Sequence, residues 1–170
     1  MKVNQTNLPG VLLITPEVSR DHRGEYVETY NAKLYKENGI TVDFVQDDMS
    51  VSKKDVLRGI HGDAETWKLI SCAYGRIYCV IVDCDATSAC FNTWQSFELS
   101  DETRQQVLAP PKHGVAHLVL SEKAIFHYKQ STYYNPAKQF TYKWNDPRFN
   151  ISWPVQRPIL SRRDETGGYV

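Results

Sequence analysis

The chain has 170 residues, of which 20 are basic and 20 are acidic, so its formal net charge at pH 7 is zero. This length is typical of one domain, and we expect a single domain over residues 1–170. The balanced charge, with no long block of one sign, argues against binding to nucleic acid or to a membrane surface. No stretch of about 18 apolar residues predicts a transmembrane helix, and residues 1–10 do not resemble a signal peptide. A cytoplasmic protein is therefore expected.

Short apolar or alternating runs, separated by glycine and proline, predict an all-β sandwich or barrel. Strands are predicted at residues 11–14 and 25–30, and the turn signal at residues 21–24 indicates that they form a hairpin. One short helix is predicted at residues 32–38, with Asn31 as its N-cap and a glycine just beyond its end. This helix is expected to pack on the outside.

The centre of the chain is predicted to form the core. Residues 68–74 and 76–83 flank Gly75 and contain the Ile, Val, Tyr and Cys residues that favour strands, so they are expected to form the central hairpin. The second strand has apolar side chains on both faces and should be buried on both sides. Further strands are predicted at residues 94–99, 106–109, 115–120 and 124–131. The number of strands then matches the eight or so of a jelly roll.

The composition changes after Asn135, because tryptophans stand beside prolines in the last part of the chain. This pattern predicts an ordered C-terminal extension rather than further barrel strands, and no linker separates it from the core. The expected architecture is a jelly-roll barrel with one short helix and a C-terminal extension.

The motif Leu-Arg-Gly-Ile-His, which ends at His61, is the most informative local pattern. Histidine readily takes and releases a proton at neutral pH, so His61 is a candidate general base. Tyr128 and Asp164 are candidate partners in proton transfer. Each of these residues alone is more often an ordinary core or surface side chain than a catalytic group. Their weight comes from the order in which they occur with other motifs.

That order resembles the nucleotide-sugar 4-keto 3,5-epimerases, the family of dTDP-4-dehydrorhamnose 3,5-epimerase. The matching segments are DHRG at 21–24, FVQD at 44–47, LRGIH at 57–61, GVAH at 114–117, YK at 128–129, WNDP at 144–147 and LSRRD at 160–164. The resemblance implies a cupin-type jelly roll, usually dimeric, that needs no metal or organic cofactor. We therefore expect a homodimer that acts on a nucleotide-diphospho-4-keto sugar.

Epimerisation beside a ketone requires a base on one face, stabilisation of an enolate, and an acid on the other face. By resemblance, His61 is the base and Asp164 orients its ring, as the acidic member of a catalytic triad does. Lys68 is expected to stabilise the oxyanion on carbon 4. Tyr128 is expected to donate the proton from the opposite face, with Tyr133 and Tyr134 as rival donors in the same tyrosine-rich segment.

The resemblance also implies a set of substrate-binding residues. Arg23 and Arg58 match positions that face the diphosphate, where a guanidinium suits phosphate oxygens. Tyr134 matches a position that contacts the sugar or the base. The complete expected set is Arg23, Glu28, Gln46, Arg58, Asp63, His117 and Tyr134.

The identity of the substrate stays open at this point. The segment from Asp63 to Trp67 is shorter and more acidic than is usual in the family, and a carboxylate suits the hydrogen-bond donors of guanine. A GDP-linked 4-keto heptose of capsular polysaccharide biosynthesis is therefore an alternative to a dTDP-linked 4-keto-6-deoxyhexose. The residues do not decide whether carbon 3 alone or both carbons 3 and 5 are inverted.

Three other functions are alternatives. A 3,4-ketoisomerase would also use a cupin and an enolate, and a non-catalytic module would only bind the sugar nucleotide. A metal-dependent cupin could use His61, Asp63 and His117 as a set of two histidines and one carboxylate. The spacing of the four cysteines fits no metal or redox motif, so they are expected to be free thiols.

Overall fold

The computed structural model describes residues 1–168, and its regular secondary structure consists almost entirely of strands. The strands are β1 (Lys2–Gln5), β2 (Leu12–Thr15), β3 (Val18–Asp21), β4 (Gly24–Val27), β5 (Gln46–Lys53), β6 (Leu57–Gly62), β7 (Lys68–Tyr74), β8 (Arg76–Asp83), β9 (Trp94–Ser100), β10 (Gln106–Ala109), β11 (His113–Val119), β12 (Lys123–Gln130) and β13 (Phe140–Thr141). The helices are α1 (Ala32–Glu37) and α2 (Arg162–Thr166), with a 3-10 turn at Pro136–Lys138. Within the described part of the chain, neither helix has the length and apolar character needed to cross a membrane.

Two antiparallel sheets form the body of the fold. The larger sheet has six strands in the order β1-β2-β10-β7-β12-β5, and the smaller has five in the order β13-β6-β11-β8-β9. Their inner faces share one apolar cluster that includes Ile70 and Val107 from the larger sheet and Ile81 and Leu99 from the smaller. This arrangement is the predicted jelly roll.

Strand β8 is buried on both faces, as its sequence predicts. Ile77 and Cys79 belong to the cluster between the sheets. Val80 and Val82 point the other way and pack against Phe149 in the segment that follows β13. The predicted C-terminal extension is thus ordered, and it covers the outer face of the five-stranded sheet.

Helix α1 packs on the outside of the six-stranded sheet, which confirms the prediction. The Asn31 side chain caps it by accepting a hydrogen bond from the Leu34 N–H at 3.1 Å. Tyr35 is its buried residue and joins Ile14 and Leu108 in a second apolar cluster. The helix ends at Glu37, and Gly39 beyond it has a φ of 83°, which favours glycine.

The predicted hairpin of residues 68–74 and 76–83 is wrong. Both segments are strands, but β7 pairs with β10 and β12, whereas β8 pairs with β9 and β11. The turn at Gly75, where φ is 77°, therefore carries the chain from one sheet to the other. A glycine turn between two strands does not specify whether they pair, because pairing depends on neighbours that are distant in sequence.

The predicted N-terminal hairpin has a different first strand. Strand β4 pairs with β3, in the register Val18 with Val27 and Asp21 with Gly24, rather than with residues 11–14. Pro16 separates β2 from β3, and a two-residue connection brings β3 and β4 together. The hairpin forms a separate two-stranded sheet.

The four cysteines are free thiols, as predicted. Cys72 and Cys79 are buried in the core between the sheets. Burial raises the pKa of the Cys72 thiol to about 11 and that of Cys79 to about 12. Both thiols are therefore protonated at neutral pH and serve as small apolar core residues.

Candidate active site

A cavity of about 490 Å³ opens between the two sheets. The six-stranded sheet contributes Gln46, Asp48, Met49, Ser50, Lys68, Phe126, Tyr128 and Gln130 to its lining. The five-stranded sheet contributes Arg58, His61, Val115 and His117, and segments outside the strands add Tyr134, Gln139, Ser161, Arg163 and Asp164. All four predicted catalytic residues therefore line one cavity.

His61 and Asp164 form a direct contact on the wall that the five-stranded sheet provides. His61 Nε2 lies 2.6 Å from Asp164 Oδ1, and Asp164 is only 2% exposed. Burial raises the pKa of Asp164, but hydrogen bonds from His61 and Ser161 outweigh it and hold the pKa below its ordinary value. An ionised Asp164 requires the proton to sit on Nε2, which leaves Nδ1 of His61 as the nitrogen that can accept a proton.

The start of helix α2 holds the Asp164 carboxylate in place. Ser161 is the N-cap, and its Oγ donates to Asp164 Oδ2 at 2.7 Å while accepting from the Asp164 N–H at 3.2 Å. The backbone N–H of Gly59, in the strand that carries His61, donates to Asp164 Oδ1 at 3.3 Å. The His61–Asp164 pair is thus held in place by both strand β6 and the cap of α2.

The Leu-Arg-Gly-Ile-His motif requires glycine at its third position for a steric reason. Gly59 has a φ of 120°, and a Cβ there would lie 2.5 Å from the Ala116 Cα and 2.6 Å from the Val115 carbonyl oxygen. The pairing of β6 with β11 also shifts register between Val115 and His117. Only glycine permits this close approach beside His61.

Tyr128 and Lys68 lie on the opposite wall, in the six-stranded sheet. Burial, followed by the charge of Asp48, raises the pKa of Tyr128 to about 12, so its phenol is protonated at neutral pH. Lys68 is only 8% exposed, and burial lowers the pKa of its ammonium group, which the charge of Asp63 partly opposes. The cavity therefore has a base candidate on one wall and a protonated acid candidate on the other.

Two buried polar atoms on the cavity wall have no hydrogen-bond partner within residues 1–168. They are Nε2 of His117 and Oγ of Ser50. The His117 ring stacks on Phe126, with centroids 3.9 Å apart. Burial, followed by the charge of Arg58, lowers the pKa of His117 to about 3, so the ring is neutral. Buried polar groups are normally satisfied, and these two are suited to contact a ligand.

Two guanidinium groups reach the cavity from the same side as His61. Arg58 Nε donates to Ser52 Oγ at 3.1 Å. Arg163 donates twice to Thr141 Oγ1, at 2.9 Å from Nε and 2.7 Å from Nη2. Together with Lys68 they make a cation-rich cavity that suits an anionic ligand.

Three predicted substrate-binding residues do not line this cavity. Arg23 is paired with Asp21 in the β3–β4 hairpin, with Nη2 2.6 Å from Oδ2, and Glu28 accepts from Asn31 Nδ2 at 3.0 Å. The Asp63 carboxylate is buried and accepts from its own loop, at 2.9 Å from the Glu65 N–H. It also accepts from Gln139 Nε2 at 2.7 Å. Asp63 lines a separate small pocket, so it presents no free oxygen to the main cavity.

The structure also bears on the other predicted residues. Gln46, Tyr134 and His117 line the cavity as expected. Tyr133, one of the rival donors, is 76% exposed and does not line it. Within residues 1–168, no group of three or more His, Cys, Asp or Glu side chains is arranged to bind a metal. The His61, Asp63 and His117 set fails because Asp63 turns into its own loop.

Sequence reasoning missed six polar residues of the cavity: Asp48, Ser50, Gln130, Gln139, Ser161 and Arg163. Four of them had a local signal. Asp48 lies two residues after Gln46 on the same strand and therefore on the same face. Arg163 directly precedes Asp164. Ser50 follows Asp48 on the same face, and Gln130 lies two residues after Tyr128 on β12 and shares its face. Gln139 and Ser161 carry no such signal, because their positions depend on the segment before β13 and on the cap of α2.

The fold and the cavity indicate an isomerase built in a jelly roll. Comparisons identify its family, because a family model described as dTDP-4-dehydrorhamnose 3,5-epimerase matches residues 5–169. The dTDP-4-dehydrorhamnose 3,5-epimerase of Shigella flexneri is 39% identical, over 98% of this chain and 94% of that protein. This chain belongs to the dTDP-4-dehydrorhamnose 3,5-epimerase family and is an epimerase that acts on sugar nucleotides.

Two solved structures extend the similarity to the whole fold. The dTDP-4-dehydrorhamnose 3,5-epimerase of Bacillus anthracis, with TDP and PPi bound, has a TM-score of 0.95 and 35% identity and covers 99% of both chains. A dTDP-6-deoxy-D-glucose-3,5-epimerase of Legionella pneumophila, in complex with dTDP-4-keto-L-rhamnose, has a TM-score of 0.93 and 35% identity. It covers 98% of this chain and 91% of its own. The cupin-like jelly roll is therefore common to all three proteins.

Proposed function

We propose that this chain inverts carbons 3 and 5 of a dTDP-linked 4-keto-6-deoxyhexose through an enolate, with His61 as base and Tyr128 as acid. The observation that carries the proposal is that these two side chains enter one cavity from two different sheets. Inversion requires a proton to leave on one face of the carbon and return on the other. A base and an acid on opposite walls meet this requirement.

In the first step, Nδ1 of His61 removes the proton from the carbon beside the ketone. The ionised Asp164 carboxylate stabilises the imidazolium that forms and keeps the ring in orientation. The electron pair of the broken C–H bond moves onto the ketone oxygen and gives an enolate. Because Asp164 is buried and held by Ser161, it does not need to reorganise during this step.

In the second step, the Lys68 ammonium stabilises the negative charge on the enolate oxygen. Lys68 is buried in the wall that carries Tyr128, and buried charges interact strongly with a developing oxyanion. The Tyr128 hydroxyl then donates its proton to the carbon from the face opposite His61. Repeating the sequence at the second carbon requires the proton on His61 to leave and Tyr128 to be reprotonated by solvent.

The cationic groups of the cavity are assigned to the diphosphate. Arg58 and Arg163 present guanidinium groups that suit phosphate oxygens, and neutral His117 can hydrogen-bond a sugar or phosphate oxygen through Nε2. Thymine is favoured over guanine as the base. Asp63 was the carboxylate expected to suit guanine, and it is occupied by its own loop and by Gln139.

We also propose that the enzyme is a homodimer in which the β3–β4 hairpin reaches the cavity of the partner subunit. Arg23 and Glu28, expected to bind substrate, lie at this hairpin or just after it and outside the cavity of their own chain. The edge strand β5 exposes Met49 and Val51, which are 66% and 52% exposed, and the hairpin exposes Tyr26 at 71%. An apolar sheet edge of this kind favours pairing with a second copy.

Complementation between two inactive variants tests the dimer. Arg23→Ala and His61→Asn are produced separately, and each is expected to be nearly inactive. In a heterodimer with shared sites, one cavity carries both substitutions and the other carries neither. Co-expression should therefore restore activity, while light scattering should give twice the chain mass. A monomer of full activity, or no restoration from a confirmed heterodimer, would contradict the proposal.

The reaction itself is tested by proton NMR in deuterated water with the wild-type enzyme. With dTDP-4-keto-6-deoxyglucose, we expect the signals at carbons 3 and 5 to disappear as deuterium enters. The same spectra with a GDP-linked 4-keto sugar should show much slower exchange. Exchange at carbon 3 alone would indicate that the enzyme inverts carbon 3 and not carbon 5. A product with its carbonyl at carbon 3 would instead indicate a ketoisomerase.

A further inference from the structure

Asp48 lies beside the proposed acid Tyr128 on the cavity wall. In the pairing of β5 with β12, Asp48 stands directly opposite Tyr128, and Gln46 stands opposite Gln130. All four side chains line the cavity. A carboxylate is therefore adjacent to the hydroxyl that must deliver a proton.

Two glutamine amides hold the Asp48 carboxylate from both sides. Gln46 Nε2 donates to Asp48 Oδ2 at 2.8 Å, and Gln130 Nε2 donates to the same oxygen at 2.7 Å. Gln130 is only 2% exposed, so its amide has a fixed position in the wall. Gln46 is fixed in turn, because its Oε1 accepts from the Tyr134 N–H at 2.9 Å. The two amides therefore hold the carboxylate on the strand position that faces Tyr128.

Asp47, the residue before Asp48, has its carboxylate in a different environment. Asp47 points to the other face of β5, where Lys129 Nζ lies 2.8 Å from Asp47 Oδ2, and its side chain is 54% exposed. Asp48 faces the cavity, and its contacts are amide and phenol groups rather than a cation. The two adjacent aspartates therefore provide a matched pair for experiment.

We propose that Asp48 is a positioning residue that fixes the Tyr128 hydroxyl on the wall opposite His61, so that its proton is delivered to one face of the enolate. The proposal rests on the proposed epimerase function and adds a residue that directs the acid. Asp48 does not itself exchange a proton with the substrate in this role. It accepts the phenol hydrogen bond before the enolate forms, and the hydroxyl turns to the carbon when the negative charge develops there.

The electrostatics agree with this role. Burial raises the pKa of Tyr128 most, and the charge of Asp48, the neighbouring Tyr134 and a hydrogen bond to Asp48 raise it further. A negative charge beside the phenol disfavours the phenolate, so Tyr128 stays protonated until the enolate forms and takes its proton. After donation, the same charge favours rapid reprotonation from solvent. An acid that must serve two carbons in succession benefits from both effects.

The test compares Asp48→Asn with Asp47→Asn, the same chemical change on opposite faces of one strand. Asparagine keeps the size of aspartate but removes the charge, so the fold should be preserved. We expect Asp48→Asn to lower kcat by about 10- to 100-fold, a part of the range for one acid/base role, with KM changed less than threefold. Asp47→Asn should keep kcat within about twofold of wild type.

A second measurement does not depend on activity. Tyrosine is labelled with carbon-13 at Cζ, and the Tyr128 signal is identified by its loss in Tyr128→Phe. At pH 7 we expect this signal to move in Asp48→Asn and to stay in place in Asp47→Asn. A normal kcat in Asp48→Asn, or a low kcat with an unmoved Tyr128 signal, would overturn the proposal. An inactive wild type would instead reject the proposed epimerase reaction, while the Cζ signal would still show whether Asp48 holds the phenol.

Discussion

His61 Nε2 lies 2.6 Å from Asp164 Oδ1, although the two residues are 103 positions apart. The contact joins strand β6 to the first turn of the last helix. It determines which nitrogen of the imidazole is free to accept a proton, and it places a buried negative charge behind the ring.

Replacing Asp164 with asparagine should therefore reduce catalysis far more than binding. An amide can donate to Nε2 and so favour the tautomer with its proton on Nδ1, which cannot act as a base. We expect kcat to fall by about 10³- to 10⁴-fold, as in triads that lose their carboxylate, with little change in KM. Glu165→Gln, an exposed change in the same turn, is the control. Activity within threefold of wild type in Asp164→Asn would contradict the role of the pair.

The same carboxylate should make stability depend on acid pH. Although burial opposes it, hydrogen bonding keeps the pKa of Asp164 below that of the unfolded chain, about 3.9. Its contribution is therefore complete above about pH 4 and is lost as pH falls through the folded pKa. Urea unfolding of wild type and Asp164→Asn should show a stability difference that narrows from pH 6 to pH 3. A constant difference would show that the ionised form is not what stabilises the fold.

Gly59→Ala should destabilise the enzyme by about 3 kcal/mol, in the range of strain and clash in a core. A Cβ at Gly59 would lie within 2.6 Å of Val115 and Ala116 atoms, and φ there is 120°. Gly39 is the control, since its φ of 83° is also positive but a Cβ added there would have no atom within 4 Å. Thermal unfolding should give a much lower midpoint for Gly59→Ala than for Gly39→Ala. Equal losses would show that φ alone, and not the close approach of β11, explains the glycine.

The alkaline limit of activity should belong to Lys68. Burial lowers the pKa of its ammonium, while nearby Asp63 raises it and Arg163 lowers it further. Since Tyr128 has a pKa of about 12, Lys68 loses its proton first as pH rises. Lys68→Arg keeps the charge at all accessible pH values, so its lower activity should decline only at higher pH. An unchanged alkaline limit would assign that limit to another group.

Parts of the fold were predictable from the pattern of apolar residues along the sequence. Strand β8 has an apolar side chain at nearly every position, and both of its faces are buried as expected. The N-cap of α1 was predictable because Asn31 acts within one turn. The pairing of the strands was not predictable, because no residue near Gly75 indicates that β7 and β8 belong to different sheets.

The site was predictable only in part, for the same reason. The resemblance identified His61 and Asp164 as partners, but it could not indicate that Asp63 is occupied by its own loop. The spacing from Gln46 could have placed Asp48 in the cavity, but it could not show that Asp48 lies opposite Tyr128, which is its neighbour only across the sheet. Arg23 lies in the β3–β4 hairpin, outside the main cavity of its own chain. Its local sequence gives no sign of this position.

The most direct measurement is deuterium exchange in two variants, His61→Asn and Tyr128→Phe, with the dTDP-linked 4-keto sugar. If the two side chains act from opposite walls, His61→Asn should show neither exchange nor inversion. Tyr128→Phe should exchange the proton at carbon 3 but return deuterium to the same face, so exchange should exceed inversion by at least about 10², the worth of one acid/base role. Equal loss of exchange and inversion in Tyr128→Phe, or exchange without His61, would contradict the central claim that these two residues are the acid and the base.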